Sequence, residues 1–280
     1  MKLVEGDVEI WKQEPGIDGI YKQIERVGRL CYKSENLIKP GSAKPFVDRL
    51  AKAGHGKALE QGTVYLDSPE DIDFYKSNKF SKTFENYVST NYRVLLENNK
   101  LGDLKYFVDD SNKIPVPIRR LAVHFTCDRG VSAEANRHTA NSAMEVSTRY
   151  CNFSKGKFGN QLSIIVPDDI DQTKIPTSDL RSRFMELARS NGESWNEVDW
   201  WYFANEVCEL SYMNLIRLGQ KPQQARRILP LDLETELVHT AFISDWLHFL
   251  DLRCAKDAHP DIRKLALKIR KLMINEGLYY

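Results

Sequence analysis

The sequence predicts a mixed α+β domain whose carboxy-terminal half is helical. Segments with strand and helix periodicity follow one another up to about residue 167, and from about residue 180 onward apolar residues recur at helical spacing. No internal repeat, low-complexity tract or linker rich in Pro, Gly or Ser divides the chain. We therefore expect residues 1–280 to form a single domain.

The amino-terminal part begins with a strand and a helix. The stretch VEIWKQ (8–13) alternates as a strand does, and residues 17–32 carry apolar side chains at helical spacing. The segment KPFVDRLAKAG predicts a second helix. The chain then enters another strand through Val64 and Leu66.

Four further segments lead to the middle of the chain. Residues 90–98 and 119–127 are rich in β-forming residues and predict strands. Residues 131–145 read as a short helix with small apolar positions, and QLSIIVP (161–167) reads as a strand closed by a proline. The expected sheet therefore draws on widely separated parts of the sequence.

Three long helical patterns make up the carboxy-terminal part. Residues 193–219 end at Gly219, a common helix stop. Residues 232–255 and PDIRKLALKIRKLM (260–273) each carry a broad apolar stripe at helical spacing. These stripes predict helices that pack against a core.

Composition and charge limit the partners of the protein. Hydrophobic residues make up 42% of the chain, enough for a sizeable core. Its 40 basic and 39 acidic residues nearly cancel, so no global field attracts nucleic acid or an anionic membrane. We expect neither partner, and any anion site must be local.

The cysteines and the amino terminus indicate a cytoplasmic protein. The five cysteines are odd in number, widely spread and without a CxxC pair, which disfavours a disulfide framework and a zinc site. The amino terminus has no apolar signal region, and no run approaches the roughly 18 apolar residues of a membrane span.

Polar residues crowd the stretch RHTANSAMEVSTRY (137–150). Arg137 and Arg149 flank Glu145 and Ser147, and arginine forks suit phosphate because they offer paired donors and stay charged. A hydroxyl and a carboxylate could contact a base or sugar. Mixed-charge stretches are also common on solvated surfaces, so the residues alone leave both interpretations open.

Other polar residues can be explained by a structural role as well as by a functional one. Arg226 and Arg227 precede Pro230, which predicts the start of a helix with exposed arginines. Arg253 reads as a helix C-terminal cation, although separated arginines could converge on one anion. His55 reads first as a satisfied loop histidine. The chain has no HExxH, Gly-rich phosphate loop or GxSxG motif.

The segment DRGVSAEANRHTANSAMEVSTRYCNFSKGKFG resembles the signature region of the flavin-dependent thymidylate synthases. Four ordered segments extend the resemblance over most of the chain: ERVGRLCYKS, AGHGKALEQGTVYL, QARRILP and WLHFLDLRCAKDAHPDIRKLALKI. The resemblance implies a mostly antiparallel central sheet with flanking helices, and a homotetramer that binds flavin and nucleotide where subunits meet.

The resemblance also implies an activity. Members of that family methylate deoxyuridine monophosphate at C5, with a methylene from methylenetetrahydrofolate and a hydride from FAD that NADPH has reduced. No cysteine attacks the pyrimidine in that reaction, which agrees with a sequence that has no evident activated cysteine.

Carried over position by position, the resemblance assigns two sets of residues. The nucleotide side comprises Glu134, Arg137, Glu145, Ser147, Thr148, Arg149, Arg226 and Arg253. Ser147, against the pyrimidine, and Arg253 are the catalytic candidates. The flavin side comprises His55, Glu60, His138, Thr139 and His248.

Several positions depart from the family pattern. Thr139 replaces the second arginine of the signature, and Met144 replaces a polar residue. Phe242 and Ser244 replace an Asn-x-Arg pair. Asp257 stands for a histidine on the flavin side. The losses of cations predict weaker flavin binding, since charge-assisted contacts to phosphate are strong.

These departures leave two alternatives to methylation. A homologue with an altered flavin site could hydroxymethylate a pyrimidine deoxynucleotide from methylenetetrahydrofolate, because that reaction needs no net hydride. A silent nucleotide-binding protein is the second alternative. The segment 68–89 is longer than the family's usual connection, and its purpose is open.

Overall fold

The computed structural model describes residues 1–280, which form nine strands and eleven α-helices. The strands are β1 (Lys2–Val4), β2 (Asp7–Trp11), β3 (Thr63–Asp67), β4 (Lys82–Phe84), β5 (Tyr87–Asn91), β6 (Arg120–Cys127), β7 (Ser142–Glu145), β8 (Ser163–Ile165) and β9 (Thr235–Phe242). The helices are α1 (Gly16–Leu30), α2 (Ala43–Lys52), α3 (Gly56–Leu59), α4 (Ile72–Ser77), α5 (Tyr92–Glu97), α6 (Arg129–Ala135), α7 (Leu180–Ser190), α8 (Glu197–Arg217), α9 (Pro222–Ala225), α10 (Ile243–Arg253) and α11 (Pro260–Asn275).

The chain divides into two compact units, each built from separate stretches of sequence. Unit 1 comprises Met1–Asp7, Thr126–Ala133 and Ser147–Thr235. Unit 2 comprises Val8–Phe125, Glu134–Val146 and Glu236–Tyr280. A single domain over residues 1–280 stays a prediction.

Unit 2 contains most of the sheet structure. Its four-stranded sheet has the order β2-β6-β9-β7, and Ser142 pairs with Thr240 where β7 and β9 run antiparallel. Its three-stranded sheet has the order β3-β5-β4, with both pairs antiparallel. Ile20 and Ile24 on α1 pack with the buried Val64 and Leu66 of β3. Burial of such side chains contributes about 1.5–3 kcal/mol each to folding.

Unit 1 combines a small parallel sheet with long helices. β1 pairs with β8 in parallel. At the start of α8 a reciprocal pair of hydrogen bonds joins Asn196 and Asp199, and such capping boxes fix helix starts. The helix is followed by Gly219 at φ +93°, a backbone conformation that favours glycine. The buried Tyr212 of α8 packs with Leu162 and its neighbours.

The mixed α/β class is confirmed, as are most of the predicted elements. Helices α1, α2, α8 and α11 and strands β2, β3, β6 and β8 lie where the periodicity predicts them. None of the helices combines the length and the apolar character needed to cross a membrane.

The helical prediction for residues 232–255 was wrong in its first half. Residues Thr235–Phe242 form β9, and the helix begins only at Ile243. Seven of the eight residues of β9 are buried, so the strand lacks the alternation of a half-exposed one, and periodicity alone does not separate such runs from helix. Pro230 therefore does not start a helix, since a turn and then β9 follow it.

Two further boundaries differ from the sequence prediction. Residues 90–98 are a strand only to Asn91, whose side-chain oxygen accepts a hydrogen bond from Val94 N at 3.1 Å and caps α5. This cap outweighs the β propensity of the following residues. The stretch 131–145 contains the end of α6, a turn and then β7, so only its first part is helical.

Candidate functional site

Arg253 joins two other predicted residues in unit 2, and we call Glu134, His138 and Arg253 the Arg253 cluster. Arg253 is the last residue of α10 and lies 15% exposed. Its NH1 donates to Glu134 Oε2 at 2.6 Å, its NH2 to Glu134 O at 2.9 Å and its Nε to His138 Nε2 at 3.0 Å. The guanidinium is thereby fixed in position by three hydrogen bonds, one of them to a carboxylate.

The hydrogen bond from Arg253 determines the state of His138. Since Nε2 of His138 accepts this bond, the ring is neutral and carries its proton on Nδ1. Burial, together with the charge of Arg253, lowers the pKa of His138 to about 4. The ring lies 4.6 Å from the Phe249 ring and 6.3 Å from the His248 ring, between centroids. His138 is therefore an uncharged donor or acceptor near neutral pH.

The neighbours of His138 are open to a ligand. Arg137 and Thr139 are both exposed, as is His248 on α10. Arg137 forms no ion pair, so its guanidinium is available to an anion. The Arg253 cluster and the neighbouring Arg137 therefore provide a fixed arginine, a neutral imidazole and a cation without an ion pair within one unit.

A chain of hydrogen bonds connects the buried His239 with Glu145. His239 on β9 is fully buried; its Nδ1 lies 3.2 Å from Asn141 Nδ2 and its Nε2 lies 3.2 Å from Asn136 Oδ1. Asn136 Nδ2 in turn donates to Glu145 Oε2 at 3.3 Å. The amide atoms require a proton on Nε2 of His239 and none on Nδ1. A neutral imidazole thus orients the amide that holds a predicted nucleotide-side carboxylate.

The sequence prediction missed His239, Asn136 and Asn141. The helical interpretation of residues 232–255 hid β9, and metal-ligand spacing, the only criterion applied to His239, does not detect a buried structural histidine. The available signal was a lone histidine in an apolar run, which favours a buried ring with two hydrogen-bond partners.

The hydroxyl and arginine residues after β7 lie in unit 1, where we call Ser147, Thr148, Arg149 and Arg226 the Ser147 cluster. Arg226 NH1 donates to Thr148 Oγ1 at 3.2 Å, and Arg149 N lies 3.4 Å from Ser147 Oγ. Arg149 and Arg226 are exposed and form no ion pair. Two guanidinium groups without a carboxylate partner, beside two hydroxyls, suit an anion that carries acceptor oxygens.

The predicted flavin residues His55 and Glu60 flank the short helix α3 in unit 2. His55 is the exposed residue before the helix, and Glu60, 1% exposed, follows it. Arg93 NH1 donates a hydrogen bond to Glu60 Oε1 at 2.7 Å, and Lys57 Nζ donates one to Glu60 Oε2 at 3.0 Å. Burial raises the pKa of Glu60, but hydrogen bonds from Lys57, Arg93 and Ser142 outweigh it and hold the pKa below its usual value.

Two of the positions that depart from the family pattern, Phe242 and Ser244, contact the long segment 68–89. Lys82 Nζ on β4 donates to Ser244 Oγ and to Asp245 Oδ1, both at 2.6 Å, and lies 4.8 Å from the Phe242 ring. The segment thus provides a cation next to the start of α10. The sequence patterns did not predict that Lys82 contacts the start of α10.

The structure brings some predicted residues together directly and connects others through intermediates. Direct contacts join Glu134, His138 and Arg253, and also Thr148 and Arg226. Glu145 is connected to His239 through Asn136, and Glu60 to β7 through Ser142. No group of three or more His, Cys, Asp or Glu residues could hold a metal ion. The roles of these residues stay predictions.

Comparisons with known proteins give one consistent result. The family model described as thymidylate synthase complementing protein matches residues 75–276. A "Probable flavin-dependent thymidylate synthase" of Paramecium bursaria Chlorella virus 1 is 23% identical over 181 residues, 64% of this chain and 78% of that protein. The flavin-dependent thymidylate synthase of Geobacter sulfurreducens is 28% identical over 145 residues, 52% of each chain.

The chain thus matches about half of the length of this bacterial relative. Among solved structures, a UMP/dUMP methylase, PolB, from Streptomyces cacaoi, bound with 5-Br UMP, aligns with 98% of this chain and 92% of its own at 15% identity and a TM-score of 0.44.

Proposed function

Because the chain belongs to the flavin-dependent thymidylate synthase family, an enzyme family of methyltransferases, we propose that it methylates deoxyuridine monophosphate at C5. Methylenetetrahydrofolate is the proposed one-carbon donor, and NADPH the proposed reductant. The observation that carries this proposal is the Ser147 cluster, with two arginines that lack ion pairs beside two hydroxyls. Arg149 and Arg226 hold the phosphate, and Ser147 orients the base.

The Arg253 cluster of unit 2 provides oriented hydrogen-bond donors in this proposal. Arg253 is fixed by Glu134 and His138, so its remaining N–H donors keep a constant direction. Donors that are oriented in advance stabilise developing negative charge without reorganisation. His138, neutral at the working pH, accepts from Arg253 and donates through Nδ1.

FAD is the proposed cofactor, and it would supply the hydride. The residues on this side fit a dinucleotide, because His55, Thr139 and His248 are exposed and can form hydrogen bonds with it. Glu60 stays ionised through Lys57 and Arg93, as an acceptor for hydroxyl groups.

Binding and turnover test the proposal separately. Calorimetry with deoxyuridine monophosphate should show binding that weakens about 10- to 100-fold in Arg149→Ala, since a hydrogen bond to a charged group contributes roughly 1.5–3 kcal/mol. Arg217→Ala, another exposed arginine of unit 1, is the control and should bind normally. Equal affinity in all three proteins would remove the Ser147 cluster from the nucleotide site.

Turnover is measured with methylenetetrahydrofolate and NADPH, and with added FAD if the purified protein lacks flavin absorbance. A product heavier by one methylene unit supports methylation. Nucleotide binding with no product under any of these conditions would favour a silent nucleotide-binding protein instead.

Hydroxymethylation is the second candidate, and the Lys82 contacts favour it. Phe242 and Ser244 replace the Asn-x-Arg pair of the family pattern, and Lys82 contacts both of them as well as Asp245. Transfer of the methylene together with one water gives a hydroxymethyl group and tetrahydrofolate, with no hydride consumed. The hydroxymethylated product is heavier than the methylated one by one oxygen atom. Such a product would support this reaction over methylation if its added oxygen comes from solvent and it forms without NADPH oxidation.

Assembly and location are part of the same proposal. Family membership supports a homotetramer with sites between subunits, and light scattering tests this, since a stable monomer would contradict it. None of the five cysteines forms a disulfide bond, which supports a reducing compartment such as the cytoplasm.

A further inference from the structure

A cavity of about 680 Å³ lies in unit 2, and we call it the Gln23 cavity. Its walls come from α1, β2, β3, the loop 107–112 and the start of β6. Sites for small organic ligands have volumes of roughly 300–1,000 Å³. None of the residues predicted to bind nucleotide or flavin lines it, so it is distinct from both clusters described above.

Gln23 provides the first sign of a ligand. It lies on α1 at 4% exposure, and its Nε2 is buried without a hydrogen-bond partner. A buried polar group without a partner costs roughly 1–3 kcal/mol. Because Gln23 lines the cavity, a ligand with an acceptor atom there would satisfy its amide.

The charged groups of the wall differ in how they are paired. Each carboxylate already accepts from a donor of the protein: Glu14 from Lys22, Asp109 from Gly16 N, Asp110 from Asn112 N, and Glu276 from Lys12. The acidic residues therefore require no cationic ligand.

The two arginines of the wall have no carboxylate partner. Arg119 donates to Ile114 O at 2.6 Å and to Asn112 O at 3.0 Å, which leaves three of its five N–H donors without a partner. Arg120 donates to Glu60 O at 3.0 Å and to Thr63 Oγ1 at 3.4 Å. Burial lowers the pKa of Arg120 to about 10, as expected for a cation that lacks an ion pair. An anion in the cavity would compensate both charges.

Apolar groups occupy the rest of the wall. Trp11 and Tyr65 are each 8% exposed, and Phe107 and Ile10 add apolar surface. Aromatic side chains favour contact with flat apolar groups. The wall therefore suits a molecule that has a charged end and a flat apolar body.

We propose that the Gln23 cavity binds a small organic oxyanion, a carboxylate or a phosphate ester, with a planar apolar body. The oxyanion accepts hydrogen bonds from Arg119 and from Nε2 of Gln23, while the body contacts Tyr65 and Phe107. This binding does not depend on the reaction catalysed elsewhere in the chain.

Phenyl phosphate and benzoate are the two probes, and they separate the phosphate source from the carboxylate source. Each is titrated by calorimetry into Arg149→Ala protein, in which the Ser147 cluster is weakened, and into the same protein with Gln23→Met. We expect one or both probes to bind, and Gln23→Met to weaken binding at least about 10-fold. Methionine keeps the size of the side chain, and no existing bond of Nε2 is lost, so the free protein should unfold at the same or a higher temperature.

A second variant guards against an indirect effect. Arg119→Gln removes the charge and should weaken the binding of each probe that binds. Arg49→Gln, at an exposed arginine of the same unit, should leave that binding unchanged. The proposal is overturned if neither probe binds, or if a probe binds the Gln23→Met and Arg119→Gln proteins as tightly as it binds the parent Arg149→Ala protein.

Discussion

His239 Nε2 lies 3.2 Å from Asn136 Oδ1, and this contact sets the protonation state of a fully buried imidazole. The bond requires a neutral ring with its proton on Nε2, because Asn141 donates to the other nitrogen. The Asn136 amide is thereby turned so that its nitrogen faces Glu145. A fully buried residue thus orients the amide that contacts a predicted nucleotide-side carboxylate.

The free energy of unfolding should decrease as the pH is lowered below about 6.5, because His239 is buried in its neutral form. Burial lowers the pKa of His239 to about 3, whereas the ring in the unfolded chain titrates near 6.5. Between these values only the unfolded state binds the proton, so stability is complete above about pH 6.5 and falls by roughly 1.4 kcal/mol per pH unit below it. Urea denaturation should show the wild type losing about 1 kcal/mol more than His239→Gln between pH 6 and pH 5.

The interval above pH 7.5 is the internal control for this prediction. Neither state protonates His239 there, so the stabilities of wild type and variant should change in parallel with pH. Parallel curves below pH 6 as well would contradict a neutral buried His239.

Removal of the charge of Arg253 should raise the pKa of His138. Burial is the larger cause of its low value, and Arg253 is the next. In Arg253→Met we therefore expect the pKa to rise from about 4 while it stays below 6.5. An NMR titration of the His138 ring protons measures it. Arg137→Met is the matched control and should raise the pKa less, because Arg137 contributes less.

Gln61 should stabilise the pairing of β7 and β9. Its side chain is fully buried; Nε2 donates to Ser142 O at 2.9 Å, and Oε1 accepts from Thr240 Oγ1 at 2.6 Å. Gln61→Met leaves the Thr240 hydroxyl buried without this partner, which should lower the free energy of unfolding by about 2–3 kcal/mol in urea denaturation.

A double-mutant cycle isolates the Gln61–Thr240 contact. Combined with Thr240→Val, Gln61→Met should cost less than the sum of the single changes, with a coupling of about 0.5–2 kcal/mol. Strictly additive losses would mean that the hydrogen bond contributes nothing.

Glu60 should stabilise the fold only while it is ionised. Its pKa lies below the usual 4.5 in the folded state, so its contribution is present above that value and is lost as pH falls through the lowered pKa. Glu60→Gln should lower the free energy of unfolding by about 1 kcal/mol at pH 7. The effect is small because Arg93 and Lys57 are partly exposed, so solvent screens their charges. At pH 3 the variant should match the wild type more closely in urea denaturation. A cost that does not change with pH would show that charge plays no part.

Long periodic elements could be predicted from the sequence, and the residues of β9 could not. The apolar spacing of α1 and α11 gives one buried face each, which is the pattern that periodicity detects. β9 is buried almost throughout, so its sequence resembles the start of the helix that follows it. Only the partners β6 and β7, distant in the chain, make this segment a strand.

The candidate site shows the same limit. Arg253 alone reads as a cation at a helix end, and its contact with Glu134 spans 119 residues of sequence. Only the resemblance to a family predicted that Glu134 and Arg253 belong to the same site. His239 and Asn136, 103 residues apart, and Lys82 and Asp245, 163 apart, belong to no shared motif, so their contacts required the structure.

The parallel pairing of β1 with β8 has a consequence for synthesis of the chain. Lys2–Val4 leaves the ribosome about 160 residues before Ser163–Ile165, the strand it pairs with. At roughly 5–20 residues per second, this delay lasts about 10–30 s. Throughout it the nascent chain carries an unpaired strand whose short length limits unwanted association. Translation speed along this stretch therefore determines how long β1 has to wait for its partner.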